Sequence, residues 1–280
     1  MTQPASRPDQ DSAKAEPPEQ PGQPEQPEQP EPAPPIVTVV LVRHGRSTSN
    51  VAGTLAGRTP GVELDEQGRE QADTLARRLR EISIDRLVSS PLQRCRQTLA
   101  PLAAALDLPV EIDEQLLEVD YGAWSGRKLS ELLHEPLWRV VQAHPSAAVF
   151  PQGEGLAAMS TRAADAIRRI RQSATRDVTV LVCSHGDVIK AILADALGLH
   201  LDAFQRIVVA PASVSVIRYT PLRPFVERIN DTGDPILAKP PPPTVPTDET
   251  AKAPGTGPAD APAEPGSDTS SDAVPGGVTG

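Results

Sequence analysis

The sequence predicts an α/β fold: a three-layer α/β/α sandwich around a mostly parallel central sheet, flanked by disordered Pro-rich tails. Three observations carry this prediction. The runs at 36–42 and 178–184 are short, β-branched and nearly continuous in hydrophobicity, as strands buried on both faces of a sheet are. Amphipathic helical patterns alternate with strand-like segments through the middle of the chain, which is the order that builds a layered parallel sheet. Both long runs also end in a histidine-glycine turn, Arg43-His44-Gly45 and His185-Gly186-Asp187. Ligand sites of open α/β sheets lie outside the carboxyl ends of such strands.

The elements follow in order. After the first strand, Asp65 is placed to cap a helix whose apolar positions Ala72, Leu75, Ala76, Leu79 and Ile82 keep helical spacing. Residues 84–88 read as a second strand. It runs into Ser90-Pro91-Leu92-Gln93, where Ser90 is expected to cap a helix, with Pro91 at its first position and Gln93 closing a capping box. Arg94 then falls in the first turn, where backbone amides already favour an anion. Residues 110–112 are a third strand candidate. Residues 128–142 and 155–174 read as helices, the former interrupted at Pro136. A helix over 187–197 stops at Gly198, and 207–209, 213–219 and 225–229 are late strands.

Composition divides the chain. Of 32 prolines, 11 fall in residues 1–35 and 11 in residues 231–280. Those segments carry net charges of −5 and −6, so the total of −10 leaves +1 for residues 36–230. The acidity belongs to the ends and does not describe a ligand. Residues 1–35, with a Pro-Glu-Gln repeat, and residues 231–280, with Pro240 to Pro243, cannot bury enough apolar surface to offset ordering entropy. They are expected to be disordered tails around one domain at 36–230. No basic-then-apolar leader opens the chain, and no apolar stretch approaches the ~20 residues that span a bilayer. A cytoplasmic protein with no membrane or nucleic-acid partner is expected, with a homo-oligomer left open. Cys95 and Cys183 form no disulfide framework and read as ordinary packing or surface residues. Arginine outnumbers lysine 22 to 5 with abundant alanine, which suits a GC-rich bacterial genome.

Two histidines and two arginines converging on strand ends suit an anion pocket. Metal binding is disfavoured, because neither HExxH nor His-x-x-x-His spacing occurs. Phosphate chemistry fits better: a neutral imidazole attacks phosphorus while arginine forks hold the non-bridging oxygens.

These residues also carry a resemblance. The segment Leu41-Val42-Arg43-His44-Gly45-Arg46-Ser47-Thr48-Ser49-Asn50 resembles the RHG signature of the histidine phosphatase superfamily, phosphoglycerate mutase-like branch. Ser89 to Thr98 and Ser184 to Asp187 are similar to its second and fourth motifs, and Leu117 to Gly126 to the segment carrying its acid. The four matches keep the family order and span about residues 36–230. The resemblance implies that His44 is the nucleophile that becomes phosphohistidine. Arg43, Arg94 and His185 would form the phosphate pocket, with Asn50 a further contact. Glu118 would protonate the leaving oxygen and then deprotonate water. Arg58 is a candidate for the pocket mouth, as are Arg96 and Arg127. Glu154 matches the acid of the family's proline-glycine-glycine-glutamate-serine segment, with a structural role as open as a substrate contact. No metal or cofactor is called for, since the cations are side chains.

Three functions stay open at this point. They are a phosphomonoesterase acting on a small phosphorylated metabolite, a phosphomutase, and a non-catalytic phospho-ligand-binding relative. The segment from Gly126 to Pro151 is short and offers one arginine, Arg139, where the mutase pattern has two. This favours hydrolysis.

Overall fold

The computed structural model describes residues 33–234. The Pro-rich tracts over 1–32 and 235–280, for which disorder is expected, lie outside the described residues. A six-stranded sheet forms the centre: β1 (Val37–Arg43), β2 (Arg86–Ser89), β3 (Val110–Ile112), β4 (Val178–Ser184), β5 (Val214–Tyr219) and β6 (Pro224–Asp231). Its order is β3-β2-β4-β1-β5-β6. The pairs β3–β2, β2–β4 and β4–β1 are parallel, and β5 runs antiparallel to both β1 and β6. The mostly parallel sheet is the one expected.

Helices cover both faces: α1 (Thr48–Ala52), α2 (Glu66–Leu79), α3 (Gln93–Leu106), α4 (Leu129–Leu132), α5 (Pro136–Ala143), α6 (Leu156–Gln172) and α7 (Gly186–Leu197). Alternation along β1 assigns each face. Val37, Val39 and Leu41 pack into the core of α6 and α7, while Val40 and Val42 pack with Leu75, Leu79, Leu99 and Leu102 of α2 and α3. Both faces of β1 are therefore buried, which is why its hydrophobic run is continuous and not alternating.

Several local expectations need correction. Asp65 does cap α2, accepting from the Gly68 amide, but that helix ends at Leu79 and Ile82 is exposed beyond it. Helix α3 begins at Gln93 with Leu92 at its N-cap and no side-chain cap. The Ser90 hydroxyl is drawn instead to His185, and the Gln93 amide donates to Glu63. As expected, Pro136 divides the segment 128–142 in two, opening α5 at its first turn. Residues 207–209 form no strand, because their neighbourhood is satisfied by side chains: Arg43 donates to the Val209 carbonyl and Asn230 accepts from the Ala210 amide. Strand β6 runs to Asp231, the first residue of the expected tail, which pairs with Arg78 at 2.9 Å.

Candidate active site

Register delivers the two histidines to one place. Arg43 pairs with Ser184 at the last rung of β1 and β4, and the His44 amide donates to the Ser184 carbonyl at 3.0 Å. The strands end level, so His44 and His185 leave side by side, with ring centroids 5.2 Å apart. Helix α2 fixes the turn from behind. A Cβ on Gly68 would lie 1.9 Å from the Arg46 carbonyl oxygen, so only glycine allows this approach.

The tautomer of His44 follows from one contact. His44 Nδ1 lies 2.8 Å from the Gly45 carbonyl oxygen, which can only accept. Nδ1 therefore carries the hydrogen, leaving Nε2 with its lone pair. Both imidazoles are held well below the ordinary histidine pKa, by burial first and then by the cation Arg94, with Arg43 adding to it. His185 Nε2 lies 2.8 Å from the Ser90 hydroxyl, and Cys95 Sγ lies 3.5 Å from the same nitrogen. Both cysteines are buried, and Cys95 packs against a site histidine, a neighbour that no sequence signal marked.

The arginines are buried and braced by backbone. Arg43 Nη1 donates to Val209 at 2.7 Å, and Arg94 Nη2 donates to Gly57 at 2.8 Å. The Arg94 Nε–H is buried with no partner among the described residues, so it is available as a donor to an oxyanion. Burial lowers the Arg43 guanidinium to about 10, opposed by the negative charges of Glu118 and Asp187.

Glu118 is 4% exposed and sits in the same electrostatic field. Burial is the largest cause pushing its carboxyl up to about 7, with the Asp187 charge next; the Val119 amide, Arg94 and Arg43 act the other way. The pocket thus holds its imidazoles neutral and its carboxyl protonated near neutrality. This is the division of labour needed for a histidine nucleophile and a carboxylic acid.

A clamp holds the acid loop from outside. Arg162 of α6 donates to the carbonyls of Gln115 and Leu117, both at 2.7 Å, to that of Glu118 at 3.1 Å, and to both oxygens of Glu154. Arg58 donates to the same Glu118 carbonyl and to Glu154 at 2.9 Å each. Glu154 also accepts from the Asp120 amide at 2.9 Å. The turn carrying Glu154 closes on the loop so tightly that a Cβ on Gly122, whose φ is +51°, would fall 2.1 Å from the Pro151 carbonyl.

The expected site residues therefore divide. His44, His185, Arg43, Arg94 and Glu118 converge in one buried pocket. Arg58, expected to contact substrate, donates to the Glu118 carbonyl and to Glu154, and Glu154 ties down the same loop. The Asn50 carboxamide oxygen accepts from Ser47 N at 2.9 Å and Oγ at 2.8 Å in a capping box of α1, which leaves its NH₂ group as the donor to offer a ligand. Arg127 is paired with Glu135, while Arg96, His134, His144 and His200 are exposed. Sequence reasoning missed Arg162, Tyr121, Asp187 and Lys190. The last two were discoverable, because an aspartate and a lysine three residues apart interrupt the apolar first half of that helix.

The model of the histidine phosphatase superfamily (branch 1) matches residues 39–232. Phosphoserine phosphatase 1 of Hydrogenobacter thermophilus is 32% identical over 199 residues, covering 70% of this chain and 93% of that protein. GpmB of Erwinia tasmaniensis, named for phosphoglycerate mutase activity, is 31% identical over 180 residues, covering 63% and 82%. The crystal structure of α-ribazole phosphatase from Shigella flexneri superposes with a TM-score of 0.64 at 26% identity, covering 70% of this chain and 96% of that one. With a family match over residues 39–232 that takes in every residue of the pocket, the chain belongs to the histidine phosphatase superfamily, branch 1.

Proposed function

We propose that the protein is a phosphomonoesterase that hydrolyses a small phosphorylated metabolite through a phosphohistidine at His44. The observation that carries this reading is the fixed tautomer of His44: Nδ1–H is tied to Gly45 and Nε2 is left as the nucleophile beside two buried guanidinium groups. Arg43, Arg94 and His185 hold the phosphoryl oxygens, with Asn50 as a further donor. In the first half-reaction His44 Nε2 forms a bond to phosphorus as the ester P–O bond breaks, and the Glu118 carboxyl gives its proton to the departing oxygen. In the second, the Glu118 carboxylate takes a proton from water. The water oxygen bonds to phosphorus, the N–P bond breaks, and inorganic phosphate leaves.

The mutase reading has a relative in its favour, but two of the three basic side chains after the acid motif already have partners. Arg127 Nη1 is 2.7 Å from Glu135, Lys128 Nζ donates to the Ala52 carbonyl, and Arg139 lies in a surface groove with His134 and Glu135. Arg127 and Lys128 are thus already engaged, leaving fewer cations to grip a substrate carboxylate while a phosphoenzyme waits. This favours capture of the phosphohistidine by water. The reading keeps a cytoplasmic bacterial enzyme, with catalysis confined to the domain at 36–230. Among the described residues no helix is long and apolar enough to cross a membrane.

The test is chemical trapping. Acid-labile phosphate should appear on the native protein during turnover of a labelled monoester and be absent from His44→Ala. The kcat of that variant should fall by at least ~10³, since no second nucleophile lies in the motif. Label retained by His44→Ala would overturn the mechanism.

A further inference from the structure

Behind the pocket lies a buried ionic cluster that the hydrolytic steps leave unused. Asp187 and Lys190, one turn apart on α7, are 0% and 2% exposed, with Lys190 Nζ 3.6 Å from Asp187 Oδ1. The Tyr121 hydroxyl donates to Asp187 Oδ2 at 2.8 Å, and Lys190 Nζ also donates to Gln205 at 3.1 Å. Stripping a carboxylate and an ammonium of water costs several kcal/mol each, and well-packed apolar residues usually serve stability at least as well. The cluster's connections suggest a further role. Asp187 stands two residues after His185, in the first turn of α7, where the helix N-terminus favours an anion. Tyr121 stands three residues after Glu118, on the acid loop.

We propose that Asp187, held by Tyr121 and Lys190, is a positioning residue for the general acid. Its buried negative charge keeps the Glu118 carboxyl protonated for the first half-reaction, and its bond to Tyr121 locks the acid loop to the phosphate-binding turn. The inference rests on Glu118 being the general acid.

The charges around Glu118 define what Asp187 adds. Arg43 from the end of β1 and Arg94 from α3 both favour its ionised form, as does the Val119 amide. Arg162 and Arg58 grip its carbonyl from the far side. Asp187 is the one carboxylate among these neighbours that opposes ionisation, alongside burial itself. The same charge favours the cationic form of Arg43. One anion thus keeps the phosphate clamp charged and the proton donor loaded. Lys190 and Tyr121 compensate that charge from the side.

The experiment compares native protein, Glu118→Gln, Asp187→Asn and Asp187→Asn/Lys190→Met on an alkyl phosphate and on an activated aryl phosphate between pH 5 and 9. In Asp187→Asn the carboxamide oxygen can still accept from Tyr121, and the double variant removes the lysine that the single one strands. The basic limb of kcat/KM on the alkyl ester should move down by about one pH unit in Asp187→Asn, roughly a tenfold loss at pH 8, and by less in the double variant, which also removes the Lys190 cation that favours ionised Glu118. The aryl ester, which needs little protonation, should lose less than about threefold. An infrared titration should show the protonated carboxyl band that vanishes in Glu118→Gln shifted down by the same amount. If both Asp187 variants fold and both limb and band stay in place, the proposal is overturned and the general-acid assignment stands. If Glu118→Gln loses equally on the two esters, the assignment itself fails and takes the proposal with it.

Discussion

Arg162→Met is the most demanding perturbation of the acid loop, because Arg162 approaches that loop from behind and yet holds three carbonyls of the segment that carries Glu118. The substitution deletes five hydrogen bonds at once. The carbonyls of Gln115 and Leu117 lose the Arg162 donor, the Glu118 carbonyl keeps only Arg58, and Glu154 keeps Arg58 and the Asp120 amide. Breaking a fully buried ion pair costs about 3–5 kcal/mol. With side chains 14% and 19% exposed and Arg58 still in place, about 2–4 kcal/mol is expected here, or on the order of 10 °C in Tm for a domain this size. A general acid misplaced by about 1 Å costs up to ~10² in rate, so kcat on an alkyl phosphate should fall roughly 10- to 100-fold. On an activated aryl phosphate the loss should be only a few-fold. Arg162→Lys, which cannot reproduce the fork, should recover part of the Tm and little of the rate. The assay is the ratio of kcat on the two esters, measured well below each variant's Tm, with KM recorded alongside. A variant with lowered Tm but an unchanged alkyl-to-aryl ratio would refute the positioning role and leave Arg162 as a brace alone.

Glu118→Gln should be more stable than the native protein at pH 8 by about 1–3 kcal/mol and equal to it near pH 4.5. The carboxyl, shifted from 4.5 to about 7 on folding, costs stability as pH rises through that window, and the amide does not. The reasoning fails if chemical denaturation shows the same gap at both pH values. The two pocket histidines act in the opposite sense: their lowered pKa makes native and Glu118→Gln protein alike lose stability as pH falls below 6.5. With bisphosphoglycerate primer, interconversion of 2- and 3-phosphoglycerate should be negligible beside phosphate release from simple monoesters, and the reverse order would establish a mutase. A chain trimmed to residues 33–234 should keep its thermal midpoint and its kcat/KM on a small ester; a clear fall in either would show that an end segment contributes to the domain.

The sequence made the sheet readable because burial on both faces leaves little choice of residue in β1 and β4. It made the pocket readable because two histidine-glycine turns end those strands. The errors share a cause. Ser90 and residues 207–209 obey local rules for a cap and a strand, but distant groups, His185 and Arg43, claim their polar atoms. Local propensity carries no trace of such a partner. Arg58 and Arg162 illustrate the same limit from the other side. Nothing local to either marks the contact, yet each fastens a carbonyl far along the chain. Asp187 and Lys190 could have been found, because paired charges on an apolar helix signal a buried ionic contact.

The shared last rung of β1 and β4 has a thermodynamic consequence. The groups that would hold an oxyanion are not grouped on a loop that could fray by itself; β1 and β4, neighbouring central strands distant in sequence, bring Arg43, His44 and His185 together, and α3 adds Arg94. A bound oxyanion is therefore a cross-brace at the middle of the molecule. At about 100 times its dissociation constant it adds about 2.7 kcal/mol to the global unfolding free energy. Amide exchange in both strands should slow together when it binds. Occupancy of the pocket and integrity of the sheet are one equilibrium, and the halves of the site part only when the strands do.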